Sequence, residues 1–381
     1  IGTTTTSLQS ITLEWEADDH MFITEDSEIQ MPGFGAVKVS YLGLNYPAEE
    51  EIAVEAGSDT YIKLKNFPLK DSDEDIALLY TDGTSYTGIG KESDELLLTD
   101  ANEDGNITFD ADDHAYFVAS WTDGNDAESY LLRGSNFKTD NSVDKVTFQY
   151  KKDGAWVDAK TDRDDGNEFS IGNAELQIGA VNKVAKSVSI WNKSTETSFN
   201  TLYSKEGLKV FLPFDHATST ASGAINITGG GTPTAWNLTL VEEDKDGDIA
   251  NGDTIRVTLG LNSQSPKEPS VTAVTGGEAG EVEILDTDVF RDFVYSDLAT
   301  EILHDKGPDQ RALKLIYHGG EVTADVYINS ADVVSSTSES GQKTFMDSES
   351  GFAEKNVVVV GGSCINSVAA ELLGGAHCGD A

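Results

Sequence analysis

Apolar residues recur at every second position along most of this chain. The alternation runs through "SITLEWEA" (residues 10–17), "GAVKVSYLGL" (35–44), "DTYIKLKNF" (59–67), "DKVTFQYKKDG" (144–154) and "AELQIGAV" (174–181). It resumes in "LKVFLPF" (208–214), "AWNLTLVEE" (235–243), "DTIRVTLGL" (253–261) and "ADVYIN" (324–329). A period of two puts successive side chains on opposite faces of a strand, so each segment predicts a β-strand with one buried face. Gly, Asn and Asp clusters between them supply the backbone freedom that turns require. "KKDGAW", between Tyr150 and Val157, carries an Asp-Gly pair and predicts a tight hairpin. The whole reads as antiparallel β-sandwich domains of the Ig-like kind, not as strands alternating with helices.

Two stretches depart from the alternation. "VFRDFVYSDLATEILHD" (289–305) has ambiguous spacing, and its aromatic and β-branched content predicts extended structure. "VVVVGGSCINSVAAELLGGAHCG" (357–379) predicts a buried strand, a glycine turn and a short helix from Ser367 to Leu373, with Asn366 or Ser367 as cap and Gly374 as stop. Composition shifts at 218–234 and 335–351, both polar and loop-like. The expected division is therefore an N-terminal β region at 1–112, sandwich domains at 113–220 and 221–345, and a C-terminal βα unit at 346–381.

Charge changes the picture most. The 381 residues carry a formal net charge of −41. Such a surface repels nucleic acid and anionic membrane, since phosphate binding needs clustered Lys and Arg. It suits cationic partners or life in high salt. Lysine greatly outnumbers arginine, which occurs only at Arg133, Arg163, Arg256, Arg291 and Arg311, and this favours divalent-cation binding over salt adaptation. No apolar run approaches the roughly 20 residues that span a bilayer. The chain begins at Ile1 without a signal peptide, which reads as a processed product of a longer precursor.

Calcium is the cation that the acidic runs suggest. In "DANEDGNITFDADD" (100–113), Asp100, Asn102 and Asp104 present oxygens at alternate positions, Gly105 permits the turn, and Asn106 can offer its carbonyl. Position twelve is Ala111 rather than a bidentate acid, with Asp110 and Asp112 beside it, so a solvated acidic turn is an equal reading. "EEDKDGDIANGD" (242–253) repeats the theme more weakly through Asp244, Asp246, Asp248 and Asp253. Sequons at Asn106, Asn192, Asn226 and Asn237 are glycan acceptors if the protein is exported. Cys364 and Cys378 can close a disulfide loop worth about 3 kcal/mol, or stand as two buried thiols. Histidine spacing makes no zinc site, and neither HExxH nor GxSxG occurs, so no enzyme is expected.

"NVVVVGGSCINSVAAELLGG" (356–375) resembles the C-terminal signature of archaeal S-layer proteins of the methanococcal type, including relatives in small-genome archaea. "HAYFV" (114–118), "ESYLLRGSNF" (128–137), "KVTFQYKKDGAWVDA" (145–159), "FNTLYSKEGLKVFLP" (199–213) and "YSDLATEILHDKGPDQ" (295–310) are similar to the same family. The resemblance implies a secreted structural subunit that tiles the cell surface as a homo-oligomer, often glycosylated, held by divalent cations and without catalytic residues. The same modules would form a filament or appendage if subunits met head-to-tail without closing a ring. A secreted carbohydrate-binding module or β-sandwich enzyme is a third expectation.

Overall fold

The computed structural model describes residues 27–30, 35–100, 106–110, 114–212, 235–330, 367–372 and 374–375. It is mostly β, built from several antiparallel sheets. Two compact units divide the chain: Leu44–Ala324, and a second made from Ile1–Gly43 with Asp325–Ala381.

Within Leu44–Ala324 the largest sheet has eight strands. Its order is Val282–Glu283, Val289–Phe293, Glu301–Asp305, Ala312–Tyr317, Glu50–Ser58, Tyr61–Pro68, Asp73–Thr81 and Tyr86–Gly88. A five-stranded sheet runs Thr201–Tyr203, Lys209–Phe211, Ala235–Val241, Thr254–Leu261 and Pro269–Thr275. Ile52, Val54, Leu64 and Leu315 from the first meet Leu238, Leu240, Val257 and Leu259 from the second in one core. The alternation read in the sequence is what aims these side chains inward.

A second core lies between a seven-stranded and a four-stranded sheet. The seven-stranded sheet includes Tyr116–Thr122, Ala127–Asp140, Val143–Lys152 and Ala155–Arg163; the four-stranded one includes Ala174–Asn182, Ser187–Asn192 and Asn106–Asp110. Phe117, Phe148, Phe169, Leu176 and Ile190 fill the space between them. Tyr116, Val118 and Leu131 point the other way, into the first core. Strand Tyr116–Thr122 is thus buried on both faces, which is why "YFVAS" shows no alternation of polarity. Ser120 and its cross-strand partner Ser129 on Ala127–Asp140 satisfy one another at 2.6 Å, and Ser120 also donates to the Thr201 carbonyl at 2.7 Å.

Sheet partners come from either side of the boundaries that composition suggests. Glu50–Ser58 pairs with Ala312–Tyr317, joining the N-terminal region to a strand near residue 315. Loop composition reports where the chain is exposed, whereas core membership depends on where hairpins return. Residues 289–305 form no helix: Val289–Phe293 and Glu301–Asp305 are extended and pair as an antiparallel hairpin across a turn at 294–300. The Asp-Gly hairpin also forms: Lys152 faces Ala155, and Asp153 and Gly154 take φ of 51° and 75°. Two successive positive φ values are the type I′ geometry that matches strand twist. Gly154→Ala should therefore destabilise the protein by about 1 kcal/mol, read as a shift in denaturant midpoint. No side chain lies within 4 Å of the added methyl, so the whole loss would be backbone strain.

The described part of the other unit holds a sheet of Ser27–Gln30, Val37–Asn45 and Thr323–Ser330, and the helix Ser367–Leu372. Gly374, at φ 73°, ends that helix, and the Gly375 amide bonds back to the Ala370 carbonyl at 2.8 Å. The valine strand, the glycine turn, Cys364 and Cys378 lie outside the described residues. Among the described residues no helix is long and apolar enough to cross a membrane.

Candidate functional site

Four groups of unlike sequence position meet near the end of strand Ala312–Tyr317. Leu313, Leu315 and Tyr317 alternate inward, so the Tyr317 ring is fully buried. Its Cα partner across the sheet is Glu50, which continues the inward phase of Ile52 and Val54. From the facing sheet, Trp236, Leu238 and Leu240 point inward, and Glu242 follows two residues later in the same phase. Glu243 donates its backbone N–H to the Tyr317 hydroxyl at 3.4 Å. Glu50, Glu242 and Glu243 are 7%, 0% and 9% exposed.

Burial, foremost, pushes these carboxyls up, because a charge loses more hydration than a neutral acid. Glu50 rises to about 7 despite hydrogen bonds from the Ser204 hydroxyl and the Glu206 amide, with the Glu206 carboxylate adding repulsion and Lys205 opposing it. Glu243 also rises to about 7, through burial and then the nearby charges of Glu206 and Asp244. Glu242 is raised by burial, with hydrogen bonds from Thr300 and Ser296 working against it. The Tyr317 phenol is raised well above its usual range by burial and by the same glutamates. Two carboxylate oxygens, Glu50 Oε2 and Glu242 Oε2, are buried without a hydrogen-bond partner.

Glu50 also lines an open cleft of about 450 Å³. Its wall includes Glu49, Asp73 and Glu206, with Ala53 and Pro68 supplying apolar surface. Lys65 and Lys205 reach the rim, and Lys65 is already paired with Glu55 at 3.2 Å. Negative charge therefore exceeds positive charge around a buried, incompletely bonded carboxyl.

One predicted acidic run, 242–253, begins in this cluster with Glu242 and Glu243 and continues into a loop. Asp244 is the organiser of its loop: Oδ1 accepts the amides of Asp246 and Asp248 at 2.9 and 3.0 Å, and Oδ2 accepts Asn251 Nδ2 at 2.7 Å. The Asp248 amide, first among these, holds the Asp244 carboxyl below the usual range. Asp248 in turn accepts Asn125 Nδ2 at 2.6 Å, tying the loop to the 123–126 turn, while Asp246 and Asp253 are exposed. Asp100 exchanges backbone hydrogen bonds with the Asn200 side chain, both at 2.8 Å. Asn106 and Asp110 bound an edge strand opposite Trp191 and Ser187. Asn102, Asp104 and Asp112 lie outside the described residues. Among the described residues no three His, Cys, Asp or Glu side chains converge as a metal site would require.

Of the sequons, Asn192 donates Nδ2 to the Thr197 carbonyl at 2.9 Å, and half-buried Asn237 accepts from Thr258 at 3.0 Å. Asn106 lies in its strand and Asn226 outside the described residues. The glutamate cluster escapes the sequence reading, although one signal was present: Glu50 and Glu242 stand in phase with the core. No protein-family model matches this chain, and no curated protein or solved structure matches it either.

Proposed function

We propose that this chain is a structural subunit of an archaeal cell-surface layer, secreted and self-assembling with calcium. The observation that carries the reading is the net charge of −41 on a mostly β chain. Like-charged subunits of this kind approach one another only when bound cations offset their repulsion. The sequence resemblance to archaeal S-layer proteins supports the same reading. The acidic loop led by Asp100, Asn102, Asp104 and Asn106, and the exposed Asp246 and Asp253, are its calcium ligands; the sequons are its glycan acceptors.

A filament is the second reading. Among the described residues, strand Thr323–Ser330 stands at one end of its sheet, with Val326, Tyr327 and Ile328 at 54%, 46% and 75% exposure. An exposed edge of this kind accepts a strand from a neighbouring copy, and a head-to-tail contact that does not close grows as a fibre.

Electron microscopy of the native protein, with and without chelator, tests both. Chelation should disperse the assembly, re-added calcium should rebuild it, and monovalent salt should not substitute, because screening over about 8 Å does not coordinate. Sheets support a layer and fibres an appendage. Particles intact after chelation at low ionic strength would remove calcium from the account.

A further inference from the structure

Lys38 is only 6% exposed, although an ammonium group is strongly hydrated in water. Among the described residues it stands on the central strand of its sheet, Val37–Asn45, and shares the buried face with Ser40. Glu28 faces Ser40 across the pairing with Ser27–Gln30. Both Glu28 carboxylate oxygens accept Lys38 Nζ at 2.8 Å, and Oε1 also accepts the Ser40 hydroxyl at 3.3 Å. From the strand on the other side, Asn329 Nδ2 donates to the same hydroxyl at 3.5 Å. Asn329 is the one residue of Thr323–Ser330 that is not exposed. An amine, a carboxylate and a carboxamide thus meet around one serine, all within one of the two units.

An ion pair alone gains little here, because mutual attraction seldom offsets the hydration that a buried pair loses. The same three groups are the reactants for an amide. Proton transfer within the pair leaves Lys38 as a neutral amine, which is a nucleophile. It leaves Glu28 as an acid placed to protonate a departing nitrogen.

We infer that Lys38 and Asn329 are joined by an isopeptide bond, with Glu28 as the catalytic acid and base and Ser40 as a positioning residue. Lys38 turns on its flexible four-carbon stem, and Nζ attacks Cγ of Asn329. The Nζ–Cγ bond forms and the Cγ–Nδ2 bond breaks. Glu28 carries two Nζ protons in turn to Nδ2, which departs as ammonium. Atoms and charge balance without an oxidant or a co-reactant. The bond ties together strands whose residues, Ser40 and Asn329, lie 289 positions apart. Tension applied at the two ends of the chain then passes through it rather than through residues 39–328. The link belongs to the single chain and is independent of the assembly reading.

Mass spectrometry of the reduced, denatured full chain tests it. A mass about 17 Da below that of the sequence is expected, for the loss of one ammonia. Proteolysis should yield a branched peptide that joins Lys38 to Asn329. Lys38→Arg, which keeps a cation beside Glu28, should show its full mass. It should also migrate more slowly than the parent on a denaturing gel, because no loop is closed. Glu28→Gln should leave most chains unlinked, since the amide can neither take nor return a proton. Should either variant fail to fold, the parent alone decides. Its full sequence mass, an ammonia loss confined to an unbranched peptide, or unchanged linkage in Glu28→Gln would each overturn the inference.

Discussion

Lowering the pH from 8 to 5 should raise the unfolding temperature of this protein. Glu50 and Glu243 titrate near 7 in the folded chain and near 4.5 when unfolded. Between those values the folded state holds protons that the unfolded state has released, so stability falls as pH climbs and levels off above about 7. Each group changes stability by about 1.4 kcal/mol per pH unit across its window, or about 3 kcal/mol over the whole of it. Glu242, raised by burial, acts in the same direction.

Two kinds of group oppose the trend. His304 is kept neutral chiefly by burial, so its charging disfavours the fold below about pH 6.5, although hydrogen bonding to Glu281 softens this. Asp75, Asp244 and Glu281 are held below their usual range, so their contributions are lost only below about pH 4. The maximum should consequently fall near pH 5. Thermal unfolding at constant ionic strength, with chelator present, measures it. Glu50→Gln should flatten the slope, because the neutral amide reproduces the protonated acid. A stability that is flat or rising between pH 5 and 8 would sink the assignment of these glutamates as buried, proton-holding groups.

Phe148→Ala should destabilise the protein by about 3–5 kcal/mol, at the upper end of what one core truncation does. The Phe148 ring is fully buried and stacks on Phe169 with centroids 4.8 Å apart. Removing it forfeits both the transfer of the ring from water and the packing of the cavity left behind. Leu176 and Ile190 line the same core on strands of the opposing sheet, whose backbone hydrogen bonds prevent them from closing the gap. Val184→Ala is the contrast, since Val184 is 92% exposed and should move stability by less than about 0.5 kcal/mol. Denaturant midpoints at unchanged slope measure both. Equal midpoints for the two variants would mean that the Phe148 core does not contribute as its burial implies.

Much of the architecture follows from local pattern. Ile52 and Val54, or Leu238 and Leu240, stand two apart because a pleated strand with one wet face requires it. Asp153 and Gly154 make their turn because both tolerate positive φ. Val289–Phe293 and Glu301–Asp305 are extended in agreement with their aromatic and β-branched content. These features depend on neighbours in sequence and are therefore legible there.

Position in space is another matter. Glu50 and Glu242 are charged residue types that hydration favours, yet the phase of Ile52–Val54 and Leu238–Leu240 carries both beneath the surface. Tyr317 stands opposite Glu50 only because residues 267 positions apart share a register. Strand Tyr116–Thr122 is buried on both faces because sheets from distant segments cover it, and nothing in "YFVASWT" names those sheets. The sequence by itself determined strand, turn and charge, which arise from local sterics and composition. Only the tertiary structure decided which acids lose their water, because desolvation is imposed by whatever packs against a side chain.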